Sequence, residues 1–419
     1  LTKDEAFKHI VEFGHHKIDI PLIRQFVNES AENIHWLQKQ GVQMEAIQIS
    51  PTEPLVWHVI KDNGHIVHGG ALITVLQAKA KALGVEFMTR TPAKKLIYTN
   101  NKVTGVEAVD HKGNKVTVNA KAVIIGTGGF GNSKELIAKW TKFDPDKFKP
   151  SLPINKTGDG IKMAQDVGAD IEGLNLMLHQ GTEGKGIVPL GAIYTMVWQP
   201  NTLWVNKYGK RFTDEMVAFS FSQAGNAIAA QRGHFGWTIF DDGMVDYVNE
   251  KGVDNGIGVI VKVTDKLKGL RGEINNALAA GSENFKAADS IEELARQIDV
   301  PVDTLKKTYT NYNKYAENHY DPEFAKEHRY LLPLNKGKLY AVKVMPYHFT
   351  SIGGIRINTD MAVIDKNDKP ISGLYAGGCD VGGLYSDTYT LWASGHAYGF
   401  AAYSGRMAAE SALKAIGRK

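Results

Sequence analysis

Residues 371–406 read ISGLYAGGCDVGGLYSDTYTLWASGHAYGFAAYSGR, and residues 348–358 ahead of them read HFTSIGGIRIN. Ten glycines lie between Gly353 and Gly405. A sheet core has no use for that many. Glycine is needed where backbone takes positive φ or comes close to another group. A large flat cofactor lying on turns and a helix N-terminus needs such backbone. Leu374, Tyr375 and Ala376 read as a strand, followed by a glycine turn with one acid, Asp380. The helix expected over 394–412 is rich in small residues, so something packs tightly against it. Cys379 beside the turn reads as a small packing residue.

The same texture recurs upstream. Residues 85–129 are β-rich, with hairpin signals at Asn100-Asn101 and at Lys112-Gly113-Asn114. They end in AVIIGTGG (122–129), an apolar run of the kind a buried parallel strand shows, which then breaks into glycines. TGDGIKMAQDVGAD (157–170) predicts a helix opening at a glycine–acid turn. Residues 4–40 predict two amphipathic helices, the second ended by Gly41, and a third is expected over 72–83. Between about 171 and 347 the glycine pattern stops. Polar loops, Trp and charge take over, with a helical patch at 289–317. That change predicts a separate inserted domain.

With 419 residues the chain has room for two or three domains. Hydrophobic and charged fractions of 43% and 22% are ordinary globular values. A net charge of +4, with no basic stripe interleaved with aromatics, gives no nucleic-acid signal. No apolar run reaches the length of a membrane span. One cysteine excludes an intrachain disulfide and a multi-cysteine metal site, and no metal is expected.

Four blocks, AVIIGTGGFGNSKEL (122–136), TGDGIKMAQDVGAD, LWVNKYGKRFTDE (203–215) and the C-terminal stretch, resemble in order and spacing the flavoproteins of the fumarate reductase and succinate dehydrogenase family. The likeness is strongest to the soluble bacterial branch: fumarate reductases of the flavocytochrome type, urocanate reductase and related FAD-dependent alkene reductases. It implies an α/β fold, with a Rossmann-like FAD-binding domain (1–174 and 348–419) and an inserted α+β capping domain (175–347). The family's opening β-strand and GxGxxG turn have no counterpart here, so the N-terminal βαβ unit is expected to be missing from this chain.

The resemblance carries FAD contacts to Ala93, Thr127, Gly128, Gly129, Asp159, His348, Asp380, Ala397 and Tyr398. It implies C=C reduction by hydride transfer from the flavin and protonation by Arg211. The other reading of Arg211 is a structural salt bridge with Asp214 or Glu215. His348 is expected to bind a substrate carboxylate, or else to be a core histidine. His179 and Thr350 are further substrate contacts. The family's fumarate reductases clamp a second carboxylate with an Arg in the last block, whereas this chain carries no Arg between Arg356 and Arg406. Tyr385, Asp387 and Tyr389 stand in that stretch. The substrate expected is therefore an unsaturated acid or ketone, aromatic or cyclic rather than fumarate. Fumarate itself and the reverse reaction of a ketosteroid-type dehydrogenase, with a tyrosine base, remain the alternatives. Electrons must come from a separate donor such as reduced flavin, an FMN domain or a haem protein.

Overall fold

The computed structural model describes residues 1–48, 50–61, 68–152, 154–258 and 260–418. The chain divides into two compact units. The first comprises Leu1–Ala46, Val56–Met177 and His348–Lys419, and the second Ile47–Leu55 and Leu178–Tyr347. The division falls inside strand Ile171–Gly181 and again inside strand Leu339–Ile355.

The first unit opens with the two helices expected, Lys3–Phe13 and Ile20–Lys39. Thr2 and Glu5 form a capping box on the first, and the Asp19 carboxylate caps the second. Their apolar faces bury Ile10, Val11, Leu22, Ile23, Phe26 and Val27. The sheet of this unit runs Ala362–Ile364, Pro370–Ala376, Lys102–Val109, Ala93–Thr99, with Lys115–Asn119 on Lys102–Val109 and Val123–Ile125 on Pro370–Ala376. Both hairpins form where they were read. Asn100 and Asn101 take φ of 50° and 59°, the conformation a two-residue primed turn requires. Strand Val123–Ile125 lies parallel to Pro370–Ala376, pairing Ile124 with Tyr375.

One expected strand does not form. Residues 85–92 join no sheet, and Val85, Phe87 and Met88 are exposed, as is Ile124. Extended backbone becomes a strand only where a neighbour supplies hydrogen bonds. None does so here among the described residues.

In the second unit, strand Gly236–Asp241 is buried at every position and pairs antiparallel with Leu203–Val205 and with Leu339–Ile355. Strand Phe285–Ala288 covers the other side of Leu339–Ile355. The patch at 289–317 resolves into helices Ile291–Gln297 and Val302–Glu317. Trp198, Trp204, Phe240 and Tyr312 fill the core.

Candidate active site

The glycine turn and the acid after it meet in the first unit. Strand Val123–Ile125 ends in Thr127-Gly128-Gly129, with φ of 91° and 84° at the two glycines. The fully buried Asp380 carboxylate accepts the backbone N–H of Thr127, of Gly128 at 2.8 Å and of Gly129 at 3.0 Å, and the Thr127 hydroxyl at 2.8 Å. The Thr127 hydroxyl in turn accepts the Gly160 N–H at 3.2 Å, tying in helix Asp159–Asp166. Gly129 is obligatory, since a Cβ there would lie 2.2 Å from Ser351 Oγ. Asp380 was expected to take a ribose or ribityl hydroxyl. Four hydrogen bonds from this loop take up its acceptor positions, so it fixes the backbone here. Asp159 starts its helix exposed, accepting only the Thr157 hydroxyl at 3.1 Å. Ala93 opens strand Ala93–Thr99, paired with Ala108.

The C-terminal helix His396–Ala415 begins behind Gly395 at φ 87°, with no side chain capping it. Of its opening amides, Ala397 N–H donates to the Tyr389 hydroxyl at 3.3 Å. A cavity of about 360 Å3 opens at this helix head, lined by Gly395, His396, Tyr398 and Gly399 and by Phe26 and Val27 of the second helix. Its size falls in the range of small-molecule sites. Further along, the helix's small residues admit the glycine turn: Ser404 Oγ accepts the Gly378 N–H at 2.9 Å, and a Cβ on Gly377 would strike it.

The substrate candidates of this unit sit nearby. Thr350 and Tyr385 line a small pocket with Cys379, Tyr389, Ala397 and Phe400. Rings of Tyr385 and Tyr389 lie 5.1 Å apart. Burial raises the Tyr385 phenol well above its ordinary range, so it holds its proton. Burial likewise raises Tyr398 to about 12. Asp387 is exposed in a loop, its carboxylate accepting the Ser386 hydroxyl and its carbonyl accepting Asn175. His348 has no exposed surface, and its carbonyl accepts the Ser151 N–H. Burial pushes its imidazole down to about 4, with the Phe148 backbone opposing and Lys156 adding to the effect. A neutral ring in that setting is poorly suited to holding a carboxylate.

In the second unit His179 is buried. Its Nδ1 lies 2.6 Å from the Gln180 carbonyl, and its ring stacks near Tyr347 and Trp198. Arg211 projects from a tight turn in which the Asn206 side chain accepts the Tyr208 and Lys210 N–H groups. Its guanidinium pairs with Glu215 at 3.0 and 2.8 Å and with Asp321 at 2.9 Å, with the side chain 1% exposed. Lys326, also buried, reaches Glu215 at 3.1 Å. Burial opposes the charge on Arg211, but the carboxylates outweigh it and raise the pKa further. In this geometry the guanidinium is paired with carboxylates, which is the salt-bridge reading of Arg211. The signal lay in the i,i+4 spacing from Arg211 to Glu215, while Asp321 and Lys326 arrive from too far along the chain to be paired by reading. His396, at the head of the C-terminal helix, was also missed.

The model of the FAD binding domain family matches residues 2–395. The chain belongs to the FAD-binding domain family. It is 34% identical over 414 residues to the vinyl phenol reductase of Lactiplantibacillus plantarum, covering 97% of this chain and 83% of that protein. A probable fumarate reductase, Ifc3, of Shewanella frigidimarina is 30% identical over 96% of this chain and 62% of its own length. The open conformation of a flavocytochrome c3 fumarate reductase superposes with a TM-score of 0.71 at 27% identity, over all of this chain and 68% of that one. The cofactor is therefore FAD, and the chain is a flavin oxidoreductase. The residues present fit the isoalloxazine end: an uncapped helix head, close-approach glycines and an adjoining cavity. Among the described residues no helix is long and apolar enough to cross a membrane, and no metal-ligating cluster is gathered.

Proposed function

We propose that this chain belongs to an FAD-dependent reductase that saturates a C=C bond conjugated to an aromatic or cyclic system. The observation that carries this reading is the segment 384–392. It brings two tyrosines, their rings 5.1 Å apart and tilted by 51°, and no cation to the head of the C-terminal helix. The vinyl phenol reductase at 34% identity supports the same substrate class.

On this reading the first unit is the FAD-binding domain and the second is a cap that excludes water when it closes. The exposed apolar side chains Val85, Phe87, Met88 and Ile124 offer a surface on which further strand structure beside the pyrophosphate would pack. Backbone amides at Ala397 and Tyr398 hold the pyrimidine edge, the positive end of the helix favouring negative charge there. Bound reduced FAD supplies the hydride. Tyr385, its hydroxyl buried and protonated, is a hydrogen-bond donor to the substrate. A phenol held in its protonated form suits reduction rather than the base-dependent reverse reaction. Thr350 and Tyr389 shape the pocket beside Tyr385. Electrons come from a separate donor.

The test is anaerobic. FAD-loaded enzyme is reduced chemically, and reoxidation of its visible band is followed against vinyl phenols, enone steroids, cinnamates, urocanate and fumarate. Fast reoxidation by an aromatic or cyclic alkene, with fumarate inert, is expected. Fast reoxidation by fumarate alone would overturn the reading of 384–392.

A further inference from the structure

His396 is the first residue of helix His396–Ala415 and is 4% exposed. Among the described residues neither ring nitrogen has a hydrogen-bond partner, nor does the buried Tyr385 hydroxyl beside it. The His396 ring stacks on Phe26 at 5.1 Å and meets the edge of Tyr385 at 5.3 Å, with Tyr389 at 6.4 Å. Buried polar groups are almost always satisfied, and two orphans side by side call for a partner from outside the chain. His179, by contrast, has a carbonyl 2.6 Å from its Nδ1.

The cavity at this helix head selects the partner's chemistry. Its wall is mostly apolar, including Phe26, Val27, Ile34 and Val56. Of its other polar groups, the Lys3 ammonium donates to the Asn28 carbonyl at 2.6 Å, His58 Nδ1 lies 2.9 Å from the Val56 carbonyl, and the Asn33 amide donates to the Gly399 carbonyl while its Oδ1 has no partner among the described residues. The groups packed on His396 itself are the rings of Phe26, Tyr385 and Tyr389, not cations. An imidazole that stays neutral both donates and accepts, and a phenol donates. Together they suit an oxygen that is itself uncharged. On the reading above, this helix head would also take the flavin edge, beside which the substrate ring must lie for hydride transfer.

We propose that His396, with Tyr385, forms the subsite that hydrogen-bonds an uncharged phenolic or ketonic oxygen on the substrate ring, making His396 a specificity-determining residue. The proposal rests on the alkene-reductase reading and deepens it. The deciding measurement is calorimetric binding to the oxidised holoenzyme of three probes: 4-ethylphenol, ethylbenzene and 3-phenylpropionate. 4-Ethylphenol is expected to bind about tenfold or more tightly than either of the others, the worth of about one or two hydrogen bonds. That preference is expected to fall to near unity in His396→Phe, to survive partly in His396→Gln, and to drop in Tyr385→Phe. Equal binding of ethylbenzene, or preference for 3-phenylpropionate, would overturn the subsite using wild-type protein alone. Binding needs no turnover. If no alkene reoxidises the reduced flavin, the reductase reading fails while the phenol preference still decides the subsite.

Discussion

Two buried charged centres in this molecule are built on opposite plans. Asp380 in the first unit is surrounded by N–H and O–H dipoles from one short loop. Arg211 in the second is surrounded by full charges, Glu215 and Asp321, with Lys326 completing the set. The dipole-based centre fixes backbone geometry at Thr127-Gly128-Gly129, beside the turn and helix that shape the cofactor end. The charge-based centre ties residues 321–326 to the turn at 206–211, and none of its members lines either of the two cavities described above. A buried charge is thus a poor guide to catalysis by itself. What distinguishes the two is what each holds in place.

Asp380→Ala breaks the first plan and carries the largest expected effect. Four hydrogen bonds to a charged acceptor vanish, each worth about 1.5–3 kcal/mol in favourable cases. Urea denaturation is expected to show a loss above about 3 kcal/mol, with purified protein depleted in flavin. Asp380→Asn should lose less stability but still lose flavin, because one of its two acceptor atoms becomes a donor. Retention of full flavin content by Asp380→Ala would mean that the loop does not depend on its carboxylate.

Arg211→Ala breaks the second plan. Removing one member of a buried ion cluster typically costs about 3–5 kcal/mol, because its partners stay charged. The expected signature separates stability from chemistry. The midpoint falls, yet the rate of flavin reoxidation per folded, flavin-loaded molecule stays near wild type. A general acid lost from the site would cost about 100-fold or more in that rate. Such a loss would restore Arg211 as proton donor.

The contrast explains what could be read from sequence. The glycine turns, both hairpins and the C-terminal helix were legible because their signals are local: Gly128, Asn100-Asn101 and Gly395 each act on their own φ. The role of Asp380 was half legible, since the acid was visible but the loop some 250 positions earlier that it serves was not. Arg211 was open to two readings because NKYGKRFTDE matches a family block, while Asp321 and Lys326, which complete its charge cluster, lie more than 100 residues away. The strand expected from Val85 failed for a related reason. A strand is a property of two segments, and periodicity reports only one.

Acidification sharpens the comparison within the first unit. His348 and His396 are each pushed down to about 4 by burial, against an ordinary 6.5. The unfolded chain binds more protons than the folded one between these values, so stability falls as pH drops from about 6.5 toward 4. Buried Asp241 and half-buried Asp214 and Asp254, raised by desolvation, act with the opposite sign as they take up protons. A difference measurement cancels them. The gap in melting temperature between wild type and His396→Phe should move in favour of the variant as pH falls from 7 to 4.5, by the equivalent of about 2–3 kcal/mol. A gap independent of pH would show that His396 is not held neutral.

Gly395→Ala should have the smallest effect and the most local one. At φ 87° an L-residue is strained by about 1 kcal/mol, and the new Cβ would lie 2.8 Å from Trp57 Cδ1. Relief requires a small shift of the indole or of the first turn of helix His396–Ala415. The turn carries the amides of Ala397 and Tyr398, so a shift there should weaken flavin retention with little change in melting temperature. A shift of the indole alone would leave both unchanged. Flavin dissociation measured by fluorescence on dilution distinguishes the two. A faster release with an unaltered midpoint would place the cofactor's edge on this helix head, the step that joins the dipole-based centre to the chemistry.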